Sequence, residues 1–301
     1  MNILLTYAGG IAAQSVVKSI RNNKNWPQLN LVGVDCDPYS CGLKLVDKGI
    51  LCPPTSSPSY KTFIEKLIKE ENIDLFIPTG EEDLSIISSL KNKYPTLFYM
   101  SDLNTINLCQ NKWEFYNKCK DNFDLPETYL EPPSVPYFEK PIYGRGSRGT
   151  RLVKHKKDII FFKNSKKIYQ EYIPGQEWSV DVLSNMEGKI INITPRKRLQ
   201  IKSGISTQGK IELNKNLIEI STKLVKYLNL KGPSCIQFKE DKTGNFKLIE
   251  VNVRFGGGVI FTTLAGVNQP EMIIKDYLKQ QIFDLEANEV IVSRFYNEMV
   301  I

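Results

Sequence analysis

The sequence predicts an α/β domain on a parallel sheet in its N-terminal third, followed by a β-rich α+β remainder. Three observations predict this. Strand and helix patterns alternate from residue 2 to residue 101, the rhythm of βαβ units. A Pro-rich connection, "LPETYLEPPSVPYFEKP" (125–141), ends that rhythm. Beyond it, apolar β-type stretches are punctuated by the glycine-bearing segments "YGRGSRG" and "IKSGISTQGK".

Taken in order, "NILLTYA" reads as a buried strand, and its glycine turn leads into a helix through "IAAQSVVKSIRNN". "LNLVGVDCD" is a second strand with an acidic end. "YKTFIEKLIKEENI" is an amphipathic helix, apolar at 63, 64, 67 and 68. "DLFIPTG", "EEDLSIISSLKNKY" and "TLFYMS" give strand, helix and strand. Parallel sheets bind ligands past the carboxyl ends of their strands, here Ala8–Gly10, Asp35–Asp37 and Thr79–Asp83. A helix over "NKWEFYNKCKDN" precedes the Pro-rich link. After the link, "KIYQEYI", "EWSVDVLS" and "KIINITPRKRL" read as strands, and "NLIEISTKLVKYLNL" as an amphipathic helix capped by Gly232. "PSCIQFKED" and "NFKLIEVNVRF" form a hairpin across "DKTGN". A helix near "PEMIIKDYLKQQI" and a strand, "VIVSRFYNEM", follow.

With 301 residues the chain can hold two or three lobes. Its 41% apolar and 24% charged residues are those of a soluble globular protein. The formal charge of +7 is a mild basic bias without a basic tract, which argues against nucleic acid and allows an anionic ligand. Six cysteines form no CxxC pair and the single histidine, His155, sits among lysines in "LVKHKKD", so neither a zinc site nor a Ser-His-Asp hydrolase is expected. No apolar run approaches the roughly 20 residues of a membrane span. "MNILLTYAGG" enters a strand at once, so no signal peptide is expected and the thiols are expected reduced, in the cytoplasm.

The chemistry concentrates at "LIEVNVRFGGG" (248–258). Side chains alternate along a strand, which puts Leu248, Glu250, Asn252 and Arg254 on one face, while Ile249, Val251 and Val253 point into a core. A carboxylate, an amide oxygen and a guanidinium on one surface suit a metal ion and a phosphate. Gln237, on the partner strand, adds a third oxygen ligand of the kind Mg²⁺ prefers. Glu250 would bridge two Mg²⁺ ions, Asn252 would complete the shell, and Arg254 would meet the transferred phosphoryl group. Three further segments each admit two readings. The loop with Gly144, Gly146 and Gly149, together with Arg145, Ser147 and Arg148, is a flexible hairpin tip or a phosphate cradle. "IYQEYIPGQEWSVDV", with Gln170, Glu171 and Glu177, is an ordinary amphipathic strand pair or an adenine and ribose site. Arg196 and Arg198, on one face of "TPRKRLQIKSG", form a solvated edge or a phosphate clamp.

In order, "VGVDCDPYSCGLKLVDKG", "PTGEEDL", "CQNKWEFY", "EKPIYGRGSRG", "QEYIPGQEWSVDV", "TPRKR", "CIQF" and "EVNVRFGGG" resemble the ATP-grasp superfamily, most closely one half-module of the carbamoyl-phosphate synthetase large subunit. The resemblance covers essentially the whole chain. It implies a Rossmann-like, parallel-sheet domain over 1–105, an ATP-grasp small lobe over 106–170 and a large lobe over 171–301. It implies that Lys112 and Lys140 contact ATP phosphates under the 144–149 loop, that Glu171, Tyr172 and Ile173 border the adenine, and that Glu177 holds the ribose. Arg196, Arg198 and the Gly204–Ile205–Ser206 loop would fix the reacting phosphate. Gln237, Glu250 and Asn252 would ligate Mg²⁺, for which Mn²⁺ can substitute, and Arg254 would stabilise an acyl phosphate. Val253 stands where the family commonly has proline.

The implied reaction is ATP-dependent ligation of a small-molecule carboxylate to an amine, on amino-acid or sugar derivatives, by a cytoplasmic enzyme and a possible homodimer. Glu81, Glu82 and Asp83 are the candidate proton acceptors. Gly9–Gly10, Asp35–Asp37, Thr79–Asp83 and Gly256–Gly258 would shape the acceptor pocket. Three other readings remain: a bicarbonate-using carboxylase or carbamate-forming enzyme, a nucleotide-binding module without turnover, and a dehydrogenase.

Overall fold

The structure, a computed structural model, describes residues 1–22, 26, 28–144, 146, 148–158, 166–295 and 297–301. The N-terminal sheet contains β1 (Asn2–Thr6), β2 (Asn30–Asp35), β3 (Lys48–Leu51), β4 (Leu75–Ile77) and β5 (Leu97–Phe98). All pairings are parallel, in the order β3-β2-β1-β4-β5, the doubly wound arrangement with its switch point beside β1. Leu4 enters one hydrophobic core while Ile3 and Leu5 enter another, so both faces are covered. This is why these strands read as continuous apolar runs. The connections carry α1 (Ile11–Arg21), α2 (Gly42–Leu45), α3 (Ser59–Glu70) and α4 (Leu84–Ser88). Strand β3 and helix α2 are absent from the sequence reading: "KGIL" is a mostly exposed edge with no alternation to betray it. The helix expected over 81–94 is short, and Asn92 lies in the left-handed region.

Helices α5 (Leu103–Gln110) and α6 (Lys112–Cys119) lead to an antiparallel sheet of β6 (Thr128–Tyr129), β7 (Tyr137–Pro141), β8 (Arg151–Val153) and β9 (Lys167–Glu171), ordered β6-β9-β7-β8. The third sheet comprises β10 (Glu177–Ser184), β11 (Ile190–Lys202), β12 (Ile205–Ile211), β13 (Gly232–Glu240), β14 (Phe246–Asn252) and β15 (Ile291–Ser293), ordered β14-β13-β10-β11-β12-β15. Helix α7 (Lys215–Leu228) starts on the Asn214 side chain, which accepts from Leu217 N at 3.1 Å, and buries Leu217, Leu224, Val225 and Leu228. Its cap is Asn229, left-handed at φ 51, and not Gly232, which instead opens β13. An asparagine tolerates that conformation because its short polar side chain bonds locally.

Helices α8 (Val259–Leu264) and α9 (Gln269–Tyr277) pack on α1. Ser15 Oγ donates to the Gly257 carbonyl at 2.9 Å, Ser19 meets Thr263 at 2.8 Å, and Asn268 Nδ2 donates to the Ser19 carbonyl at 2.7 Å. The final strand is shorter than "VIVSRFYNEM". After Ser293 the chain turns Arg294 inward, where it donates to the carbonyls of Ser206 and Gly257 and lies over the Phe261 ring. Helix α1 is thus bolted to α8 and α9 beside the glycine turn.

Candidate active site

Two adjoining cavities lie among these elements. The smaller, about 140 Å³, is lined by Lys112, Lys140, Gly144, Gly146, Glu171, Ile173, Glu177, Gln237 and Glu250, among others. Asn111 caps α6, accepting from Trp113 N and Glu114 N at 3.2 and 3.1 Å, and so fixes Lys112 at the helix start. Lys112 Nζ donates to the Gly144 carbonyl at 2.7 Å. Lys140, on β7, reaches Gln170 Oε1 of β9 at 2.5 Å. Burial pushes its ammonium down from 10.5 to about 8, opposed by Glu250 and Glu177 and reinforced by Lys112 and Lys239. Glu171 is tied on both sides to Glu127: its backbone N–H donates to the Glu127 carbonyl at 2.8 Å, and its carboxylate accepts from Glu127 N at 3.1 Å. Tyr172 is outside the lining; its ring packs on Phe138, centroids 5.6 Å apart.

Strands β13 and β14 bring the oxygen ligands together. Gln237 stands directly opposite Glu250, and Cys235 opposite Asn252. Between Gln237 and Phe238 the register shifts, so that Phe238 pairs with Leu248 and Ile249 is the extra residue. This bulge exchanges two expected faces. Leu248 is fully buried, and Ile249 lines the smaller cavity beside Glu250. Asn252 Nδ2 donates to Glu250 Oε1 at 3.1 Å, while its Oδ1 accepts from Arg254 Nη2 at 3.3 Å.

The glycines that end this strand each sit where a side chain cannot. A Cβ on Gly256 would lie 2.7 Å from Cys235 Sγ, on Gly257 2.9 Å from Ile11 Cγ2, and on Gly258 2.1 Å from Arg196 Nη2. The turn threads between β13, α1 and a buried guanidinium. Burial pushes the Cys235 thiol up to about 12, with Asp181 adding, so it is an inert wall.

The larger cavity, about 420 Å³, is lined by Arg196, Arg198, Arg254 and the turn at Gly204–Ser206, and on its other side by Tyr7, Gly9–Ala12 and Thr79–Gly80. Each of these three guanidiniums has a carboxylate partner. Arg196 Nη2 lies 3.4 Å from Asp181 Oδ1, Arg198 pairs with Glu177, and Arg254 Nε lies 2.8 Å from Glu81 Oε2. Ser206 Oγ accepts from both Arg198 Nε, at 2.9 Å, and Arg196 Nη1, at 3.3 Å. Gln237, Glu250, Gly146 and Arg148 line both cavities.

Of the acidic run 81–83, Glu81 is held by Arg254 and Glu82 accepts from Tyr7 Oη at 2.8 Å. Asp83 is fully buried and lines neither cavity. Burial raises its carboxyl from 3.8 to about 6, partly opposed by the Thr6 and Tyr60 hydroxyls. Between those two values the folded chain holds a proton that the unfolded chain has released, so stability falls as pH rises through the window. Asp83→Asn is therefore expected to raise the melting temperature at pH 8 and to make no such gain at pH 4. Equal shifts at both pH values would refute a neutral Asp83.

With this geometry in place, likeness to known proteins is informative. Residues 3–97 match the family described as "PylC-like, N-terminal domain", and residues 163–296 match "ATP-grasp in the biosynthetic pathway with Ter operon". Residues 163–296, which hold β10 to β15, are thus similar to an ATP-grasp domain. It is 26% identical over 201 residues to the 3-methyl-D-ornithine–L-lysine ligase of Methanosarcina mazei, covering 64% of this chain and 51% of that one. It is 27% identical over 131 residues to the D-alanine–D-alanine ligase of Aquifex aeolicus, covering 39% and 45%. The chain thus spans about half the length of these curated relatives. Among solved structures, N5-carboxyaminoimidazole synthetase from Staphylococcus aureus complexed with ADP superposes with a TM-score of 0.75 at 14% identity, over 96% of this chain and 79% of that one.

In ATP-grasp terms, the cavities gather most of the residues that the sequence singles out. Tyr172, Gly149, Asp35–Asp37 and Glu81–Asp83 do not line them, and Ser147 and Arg145 lie outside the described residues. The sequence reading missed Lys239, which alternation from Gln237 points to the same face, and which donates to the Gly175 carbonyl at 3.2 Å. It also missed Tyr7, left-handed at φ 51 at the mouth of β1.

Proposed function

We propose that this chain is an ATP-grasp enzyme, an ATP- and Mg²⁺-dependent ligase that joins a carboxylate to an amine. The observation that carries the reading is the junction: Gln237 and Glu250 face both a lysine-lined cavity and an arginine-lined one. In this reading ATP occupies the first cavity, with Lys112 and Lys140 at its phosphates and Glu177 at the ribose. The carboxylate enters through the second. A carboxylate oxygen takes the γ-phosphoryl group, ADP leaves, the amine attacks the acyl carbon, and phosphate departs as the amine loses a proton.

The donor set of Glu250, Gln237 and Asn252 suits a hard cation, because all three side chains offer oxygen. It has one carboxylate, so phosphate oxygens and waters would complete the shell. Asn252 presents its nitrogen to Glu250 and its oxygen to Arg254, so its amide would have to leave these two partners to join the shell. Mg²⁺ there would neutralise phosphate charge; the lysines and arginines position the reactants around it. Two relatives named as ligases of amino acids support an amino-acid-type substrate. Among the described residues, no helix is long and apolar enough to cross a membrane.

The test is ADP release by the purified chain with Mg-ATP, with and without a pooled panel of carboxylates and amines. ADP that appears only with the pool supports the ligase; ADP that appears with bicarbonate alone moves the reading to a carboxylase. No ADP despite Mg-ATP binding and a complete amino-acid panel would sink it in favour of a binding module. Lys140 supplies a second check. Its ammonium is depressed to about 8, and phosphate binds the charged form. Affinity for Mg-AMPPNP should be level below pH 8, weaken above it, and lose that slope in Lys140→Met. A slope retained in Lys140→Met would remove Lys140 from the phosphates.

A further inference from the structure

The larger cavity contains backbone donors that the ligase reading leaves without a partner. Helix α1 opens on "GGIAA", its N-cap is Gly10, no side chain caps it, and no acid stands in its first turn. The Gly9 amide donates to Asp35 Oδ2 at 2.7 Å and the Gly10 amide to the Tyr7 carbonyl at 2.7 Å. The amides of Ile11 and Ala12 have no acceptor among the described residues, and both residues line the cavity. Uncapped amides at the positive end of a helix attract an anion.

A side chain in the same cavity points to the same ligand chemistry. Arg196 is 1% exposed, yet its Nε has no hydrogen-bond partner. Its other nitrogens make only long bonds, 3.3 Å to Ser206 and 3.4 Å to Asp181. A buried guanidinium so thinly paired is costly, and an anion in the cavity that Arg196 lines would strengthen its pairing. Arg254 lines the cavity too. Its partner Glu81, and Asp181 behind Arg196, stand outside the lining, where Glu250 is the one carboxylate among the described residues. An ammonium here would meet guanidiniums and find no counterion away from Glu250.

We propose that the larger cavity holds a second anionic group of the substrate, a carboxylate or a phosphate, against the α1 amides and the Arg196 and Arg254 guanidiniums. The substrate is then a polyanion: a polycarboxylate, or an acid that also carries phosphate. Calling this anion part of the substrate rests on the ligase reading; the anion site itself does not.

Gly10 offers the test. Its backbone, φ −68 and ψ 147, is extended and open to any residue, and a Cβ would meet the Tyr7 carbonyl oxygen at 3.0 Å, which asks for a small shift. Gly10→Asp caps the helix from within and fills the site with its own charge. The full chain is saturated with Mg-AMPPNP, which occupies the nucleotide phosphate positions, and titrated calorimetrically with inorganic phosphate in one arm and succinate in the other. Wild type is expected to bind at least one anion, and Gly10→Asp to bind it at least tenfold more weakly, with Mg-AMPPNP affinity and melting temperature retained. Phosphate alone assigns a phosphorylated substrate, succinate alone a polycarboxylate, and both a site that reads charge. Gly10→Ser, a neutral cap, carries the same comparison with a smaller loss should the aspartate variant fail to fold. No anion binding by wild type, or equal binding by wild type and the capped variants, overturns the proposal. Failure of Mg-AMPPNP to bind strikes the ligase reading separately, since the anions are then titrated into the nucleotide-free chain.

Discussion

Glu250→Ala is expected to reduce substrate-dependent ADP release by roughly a thousandfold while leaving the fold intact, as befits a group that neutralises charge in phosphoryl transfer. Three features set the size. Glu250 is the carboxylate shared by both cavities, so its loss acts on nucleotide and acceptor alike. It stands opposite Gln237 on the neighbouring strand and accepts from Asn252, so its carboxylate orients the Asn252 amide. It also supports the ammonium of Lys140, which burial already depresses; without Glu250 that ammonium is depressed further, and the lysine is expected to grip phosphate less. Stability should change little, because Glu250 is only part-buried and its hydrogen bond is to a neighbour two residues along. Glu250→Gln keeps an oxygen and loses the charge, and should fall between. The measurement is ADP release with the pooled substrates, alongside melting temperature. A Glu250→Ala protein that retains a substantial share of wild-type turnover would dissociate this carboxylate from the chemistry.

What the sequence reveals depends on which force wrote each feature. The central strands β1, β2 and β4 are buried on both faces, and burial writes itself as apolar runs. Strand β3 is placed by main-chain pairing at an exposed edge, which demands nothing of its side chains, and "KGIL" shows nothing. The ligand face of β14 follows the same logic. Alternation correctly sets Glu250 and Asn252 apart from Val251, whereas the bulge at Ile249 is a matter of hydrogen-bond register and reverses the two residues before Glu250. Long-range pairs were beyond reach. Glu81 and Arg254 are separated by most of the chain, and only tertiary packing, α1 on α8 and α5 on β14 included, brings them to 2.8 Å. The three glycines could be read as a break, but not as a passage between Cys235, Ile11 and Arg196, because those partners come from three different elements.

Arg196 tests whether a residue can serve fold and chemistry together. Its guanidinium and the Asp181 carboxylate are both 2% exposed, and Thr262 Oγ1 donates to the same carboxylate at 2.7 Å. Phe261 lies against the guanidinium, 5.4 Å from its ring centroid. Removing one partner of a buried pair leaves an uncompensated charge, which costs roughly 3–5 kcal/mol. Arg196→Met should therefore show that loss in urea unfolding. In Arg196→Met/Asp181→Asn the stranded charge is gone and most of the loss should return, since a buried pair is worth little more than neutral groups of similar volume. Turnover then separates the roles. If the double variant regains stability but releases no ADP, Arg196 meets the reacting phosphate or the bound anion as well as holding the sheet. If stability and turnover return together, its role is confined to the fold, and the anion site must rest on Arg254 and the α1 amides alone. A single variant as stable as wild type would mean that the 3.4 Å pair carries no charge interaction of consequence.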